Sequence, residues 1–187
     1  MAERRSPAAA FAGRFAAASE GGALRLAELP FLTHVDLRVD PASPAARDLG
    51  DVLGVPLPVE QCTAVTAGDV TVAWLGPDEW LVVAPAGHRH ELLVKALGDR
   101  HGSVVDVSAQ RTTLLVGGPR ARDLLAHGCA LDLHPRVFGP GRCAQTMLAR
   151  AQVVLLPRPD DFLVLVRSSF AAYLSEWLLD AATEYLR

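Results

Sequence analysis

Val70-Thr71-Val72-Ala73-Trp74-Leu75-Gly76-Pro77-Asp78-Glu79-Trp80-Leu81-Val82-Val83 reads as two strands joined by a tight turn. Val, Leu and Trp fill both arms, and Gly76-Pro77-Asp78-Glu79 separates them. Proline presets φ at such a turn and glycine supplies backbone freedom. Working outward, Leu24-Arg25-Leu26 and His34–Val39 alternate polar and apolar as half-buried strands do. Ser43-Pro44 then opens a helix, with serine as N-cap and proline at the first helical position. Ala45, Ala46, Leu49, Val52 and Leu53 follow at helical spacing, and Gly54 can end the helix. Beyond the hairpin, a helix after Gly87 carries Leu92, Leu93, Ala96 and Leu97 on one face.

The second half runs in the same order. Strands are expected at Val104–Val107 and Thr113–Val116, a helix bearing Ala121, Leu124 and Leu125, then a strand at Ala144–Leu148. A hairpin of Ala151–Leu156 with Phe162–Val166 follows. A last helix places Phe170, Tyr173, Leu174, Trp177, Leu178, Ala181 and Tyr185 on one stripe. The halves also match in short stretches. Pro44–Leu49 resembles Pro119–Leu124, Cys62 corresponds to Cys143, and Pro77–Trp80 corresponds to Pro159–Phe162. Shared order supports a duplication more strongly than these identities do. The expected fold is α+β: two pseudo-symmetric β-α-β-β-α halves with mostly antiparallel sheets. Residues 23–100 and 101–187 form the halves of one compact domain, and residues 1–22 form a frayed tail or a partner-binding arm.

The 187-residue chain is half hydrophobic, enough for a genuine core. Its net charge of −3 and its scattered arginines, with Lys95 the one lysine, give no footprint for nucleic acid. Cys62, Cys129 and Cys143 are too few and too widely spaced for a disulfide framework, which fits a reducing compartment. The Ala-rich start is interrupted by Pro7, Gly13 and Arg14, so it does not read as a signal peptide. No stretch reaches the ~18 apolar residues of a membrane span. A soluble, cytoplasmic protein is expected.

Reactive constellations are not evident. His88 and His90 are two apart and diverge on a helix, whereas metal-binding pairs use i, i+4. His127, Cys129 and His134 carry ligand atoms but lack zinc-site spacing. Asp106 and Ser108 lie outside any G-x-S-x-G elbow and read as caps of a strand-end loop. Gly117-Gly118-Pro119 and Gly139-Pro140-Gly141 read as turns, because proline removes an amide that a phosphate would need. Trp74, Trp80 and Trp177 suit either core or interface. No catalytic, cofactor-binding or metal-ligating residue is assigned, and the role of the three cysteines stays open.

Several stretches together resemble the gamma subunit family of heterotetrameric sarcosine oxidase. They are Arg5-Ser6-Pro7, the Thr71–Leu81 hairpin, Val105-Asp106-Val107-Ser108 with Arg111 and Leu114, and Phe162–Leu174 followed by Trp177-Leu178. The resemblance implies a fold like the folate-binding domains of the glycine-cleavage aminomethyltransferase. It implies a complex that converts sarcosine, oxygen and tetrahydrofolate to glycine, hydrogen peroxide and 5,10-methylenetetrahydrofolate. Alpha, beta and delta subunits are the implied partners, with no nucleic acid and no membrane. FAD, FMN, NAD, zinc and tetrahydrofolate are implied in those other subunits, none in this chain, whose role is structural and not itself catalytic. An alternative is a free-standing folate-binding or aminomethyltransferase-like protein. Gly141-Arg142-Cys143-Ala144-Gln145 only loosely resembles the Lys-Gly-Cys-x-x-Gly-Gln motif of a related folate-binding group, which puts thiol chemistry at Cys143 in doubt. An orphan homologue serving another flavoprotein amine oxidase is a third reading.

Overall fold

A computed structural model describes residues 4–88 and 90–186. In chain order the elements are α1 (Ala12–Ser19), β1 (Arg25–Leu29), β2 (Thr33–Arg38), α2 (Pro44–Leu53), β3 (Ala64–Ala67), β4 (Val70–Gly76) and β5 (Glu79–Ala84). They continue with α3 (His90–Leu97), β6 (Ser103–Asp106), β7 (Arg111–Gly117), α4 (Ala121–Ala126), β8 (Ala144–Leu148), β9 (Ala151–Pro157), β10 (Asp161–Arg167) and α5 (Ala171–Ala182). Two five-stranded sheets result, ordered β3-β4-β5-β2-β6 and β8-β9-β10-β7-β1. The registered pairings are antiparallel. The α+β class and the hairpins are therefore as expected.

Each sheet has five strands, two more than the three of a β-α-β-β-α half. The first gains β3, a short edge strand whose alternation is too weak to read. The division at residue 100 also differs from the sheets. β6 pairs with β2, so it completes the sheet of the earlier residues. β1 pairs with β7, so it completes the sheet of the later ones. Compact units follow accordingly: Phe31–Ala109 with Gly141–Ala144, and the remaining described residues. With β1 taken as the counterpart of β6, the two sheets have the same order. All three matched sequence stretches fall on corresponding elements. Residues 54–63 join α2 to β3 and residues 127–143 join α4 to β8, so the extra loop lies in the second copy.

In the first unit, α2 starts where serine and proline place it. Ser43 accepts from the Ala46 amide at 3.3 Å, and Gly54 closes the helix at φ 74°. Its buried face, Ala45, Ala46, Leu49 and Leu53, meets one side of the sheet with Leu93 and Leu97 of α3. Across that side run Leu37 opposite Trp80 and Val35 opposite Val82. Trp80 is fully buried, and its indole N–H donates to the Pro58 carbonyl at 2.7 Å. That bond satisfies the one polar atom the ring takes into the core.

In the second unit, the central strands β7, β9 and β10 are buried almost continuously, as sheets covered on both faces require. The segment before β1 is folded onto its unit and is not a frayed tail. Phe11, Phe15 and Ala18 are buried there, as is Ala8. Glu28 of β1 holds the start in place. It accepts from the Ser6 hydroxyl at 2.5 Å, the Ala8 amide at 3.1 Å and the Thr112 hydroxyl of β7 at 2.6 Å. Two aromatic anchors and one carboxylate suffice to order an otherwise Ala-rich segment.

The stripe expected on α5 is rotated by about one residue. Ala171, Leu174, Ser175, Leu178, Leu179 and Ala182 are buried, whereas Phe170 is 42 % and Tyr173 39 % exposed. Small residues let the helix approach closely, and the large aromatics fall at the margin. Reading the aromatics as the centre of the buried face misplaces it.

Candidate functional site

The strand-end turn after β6 holds the Asp106-Ser108 pair. The Ser108 hydroxyl donates to Asp106 Oδ1 at 2.5 Å, and the Ser108 amide donates to the same oxygen at 2.8 Å. Ser108 Oγ accepts from the His34 amide at 2.9 Å. These bonds hold the Asp106 carboxyl below the usual carboxylate range, the serine hydroxyl contributing most. An acid stabilised as its anion by a neighbouring serine is a poor general base. The geometry is that of a turn lock joining β6 to β2.

The histidines have separate partners. His127 lies 2.9 Å from the Tyr185 hydroxyl and 3.5 Å from Glu184. Cys129 is buried beside a bridge to Leu148. His134 uses its ring Nδ1 to accept from the Arg136 amide at 3.2 Å. His90 approaches Glu91 at 3.8 Å and Asp106 at 4.0 Å. Among the described residues no three His, Cys, Asp or Glu side chains gather as a metal site. The glycine turns serve close approach: a Cβ on Gly118, at φ 94°, would lie 2.7 Å from the Ala23 carbonyl oxygen. A Cβ on Gly139 would lie 2.7 Å from that of Pro135.

Cys143 is 1 % exposed. Its Sγ reaches the Thr63 and Trp74 carbonyls, each at 3.2 Å. Burial, and then the neighbouring Cys62, push the thiol up to about 12. At neutral pH this thiol stays protonated and donates to those carbonyls, which makes it a slow nucleophile. Trp74 is half-buried at the same place, and Trp177 lies against Gly128, where a Cβ would meet its ring at 2.6 Å.

What the surface offers is binding geometry. In the first unit a groove of about 470 Å3 runs beside α2 and the connector after it, lined by Ser43, Arg47, Gly50, Asp51 and Val59 among others. In the second, a groove of about 490 Å3 is lined by Arg111, Gln145, Thr146, Met147, Gln152 and Arg167 among others. Arg111 and Arg167 sit opposite each other in register. Two guanidinium groups therefore lie on adjacent strands at that groove. Neither groove sets a nucleophile beside a base. The sequence gives no signal for the Arg111–Arg167 pairing, because it depends on the register of β7 with β10.

Comparison with known proteins bears on these surfaces. Residues 37–184 match the sarcosine oxidase, gamma subunit family. The sarcosine oxidase subunit gamma of Corynebacterium sp. (strain P-1) is 41 % identical, over 97 % of this chain and 91 % of that one. The subunit gamma of an Arthrobacter sp. is likewise 41 % identical over the same shares. In structure, the chain resembles one in the heterotetrameric sarcosine oxidase from Corynebacterium sp. U-96 in complex with pyrrole 2-carboxylate. There the TM-score is 0.93 at 37 % identity, covering 98 % of this chain and 97 % of that one. The glycine cleavage system aminomethyltransferase T from Bartonella henselae shares the fold, with a TM-score of 0.65 at 17 % identity. That likeness covers 88 % of this chain and 48 % of the aminomethyltransferase.

Proposed function

Because the chain belongs to the sarcosine oxidase gamma subunit family, we propose that it is the gamma subunit of a heterotetrameric sarcosine oxidase and contributes shape and docking, not chemistry, to that complex. The observation that carries this reading is the near-complete structural match to a chain of such a heterotetramer. The local geometry agrees with it. Asp106 and Ser108 lock a turn, and Cys143 is a buried thiol. The partners would be alpha, beta and delta subunits, which would hold the flavins, NAD, zinc and tetrahydrofolate. The assembled complex would oxidise sarcosine with oxygen and pass the one-carbon unit to tetrahydrofolate.

The test is purification of the tagged full chain from its source cells, with identification of co-eluting chains and an assay of sarcosine-dependent oxygen uptake. Alpha, beta and delta chains in fixed ratio, with oxidase activity in that fraction and none in the isolated chain, are the expected outcome. Elution alone, or amine turnover by the isolated chain, overturns it. Calorimetric titration of the isolated chain with tetrahydrofolate tests the folate-binding alternative: tight binding would favour a role of its own in one-carbon chemistry.

A further inference from the structure

Two cysteines that the sequence places in corresponding positions of the two copies lie across from each other along the backbone. Thr63 and Arg142 form an antiparallel bridge. The Cys143 amide donates to the Cys62 carbonyl at 2.9 Å, and the Ala64 amide donates to the Gly141 carbonyl at 2.9 Å. Those bonds put Cys62 opposite Cys143 in register. Residues opposed across antiparallel strands lie about 4.5–5.5 Å apart between Cα atoms, inside the roughly 4.4–6.8 Å a disulfide spans. The two differ in access: Cys62 is exposed and Cys143 is buried. Cys143 Sγ lies 3.2 Å from the carbonyl of Thr63, the residue that follows Cys62. Cys62 itself has φ 57°, a left-handed conformation uncommon for a residue with a Cβ.

We propose that Cys62 and Cys143 form a redox-active pair, in which the exposed thiol reacts with a hydroperoxide and the buried thiol closes a disulfide between the two strands. In the first step Cys62 sulfur takes the distal peroxide oxygen. The O–O bond breaks, the Cys62 thiol proton passes to the departing oxygen, which leaves as an alcohol or water, and Cys62 becomes a sulfenic acid. In the second, Cys143 sulfur attacks that sulfur, hydroxide leaves, and the Cys143 proton completes a water molecule. Two thiols are oxidised by two electrons, and one peroxide is reduced. Access sets the order, because only Cys62 meets solvent. Cys129 is buried in the other compact unit and serves as an internal control.

The experiment treats the reduced full chain with hydrogen peroxide, denatures it, blocks residual thiols, and maps peptides without reduction. Expected is a peptide pair joined through Cys62 and Cys143, lighter by two hydrogens, released by dithiothreitol, with Cys129 still alkylated. Cys62→Ser, a change at an exposed position, should abolish the joined pair. A Cys62 that proceeds to sulfinic acid while Cys143 remains alkylated, or a bond from either residue to Cys129, overturns the proposal.

Discussion

Asp161 is the most demanding polar residue in the second unit. It opens β10 almost completely buried, and accepts from Arg25 at 2.5 Å and from Arg158 at 2.5 Å and 2.9 Å. Both arginines remain about half exposed, so the carboxylate carries most of the desolvation and needs both donors. Asp161→Asn should cost about 1–3 kcal/mol in urea denaturation, the range for losing a charge-assisted bond at a buried group. Asp106 makes a prediction about pH. Its folded carboxyl is held below the ordinary value, so its stabilisation is complete above about 4, the unfolded value, and is lost as pH falls toward the folded one. The melting temperature of Asp106→Ala should therefore lie below that of the parent at neutral pH, with the gap closing in acid. Its role as a cap could be read from the sequence, since Asp-x-Ser after a strand offers the backbone such bonds. The pairing of Asp161 with Arg25 could not, because Arg25 comes from a strand far earlier in the chain.

At the scale of elements, α5 separates two ideas of what a helix buries. Leu174 is fully buried, whereas Phe170 keeps 42 % of its surface in solvent. Leu174→Ala should cost about 2–5 kcal/mol, and Phe170→Ala a small fraction of that, by chemical denaturation of the full chain. Equal losses would restore the aromatic stripe that the sequence pattern suggests. Local signals specified α2 well: its serine cap, its proline and its left-handed glycine all stand where their chemistry predicts. Both hairpins were equally legible from alternation and turn residues. α1 was not, because Ala-rich segments carry no helical period and its anchors, Phe15 and Glu28, act through tertiary contacts. β3 escaped for a related reason: at an edge, partial burial replaces the apolar alternation that marks a central strand.

For the molecule as a whole, the crossing of strands between the copies governs what can be removed. β7 is flanked by β10 on one side and β1 on the other. A chain lacking residues 1–30 would expose that edge of β7, with Thr113, Leu114 and Leu115 no longer paired along it. Such an edge recruits other strands, so the truncated protein should aggregate on size-exclusion chromatography while the full chain elutes as a discrete species. Retention of a discrete, fully folded species would show β1 to be dispensable. The duplication was visible in the sequence through Cys62 and Cys143 and through the two hairpin turns, yet the exchange of edge strands was not, since it leaves the order of elements unchanged. That exchange bears on synthesis. On the ribosome, β2 to β6 emerge together and can associate as soon as they clear the exit tunnel. β1, made before them, has no strand to pair with until β7 has been translated, so an earlier-made strand waits while a later-made sheet forms ahead of it.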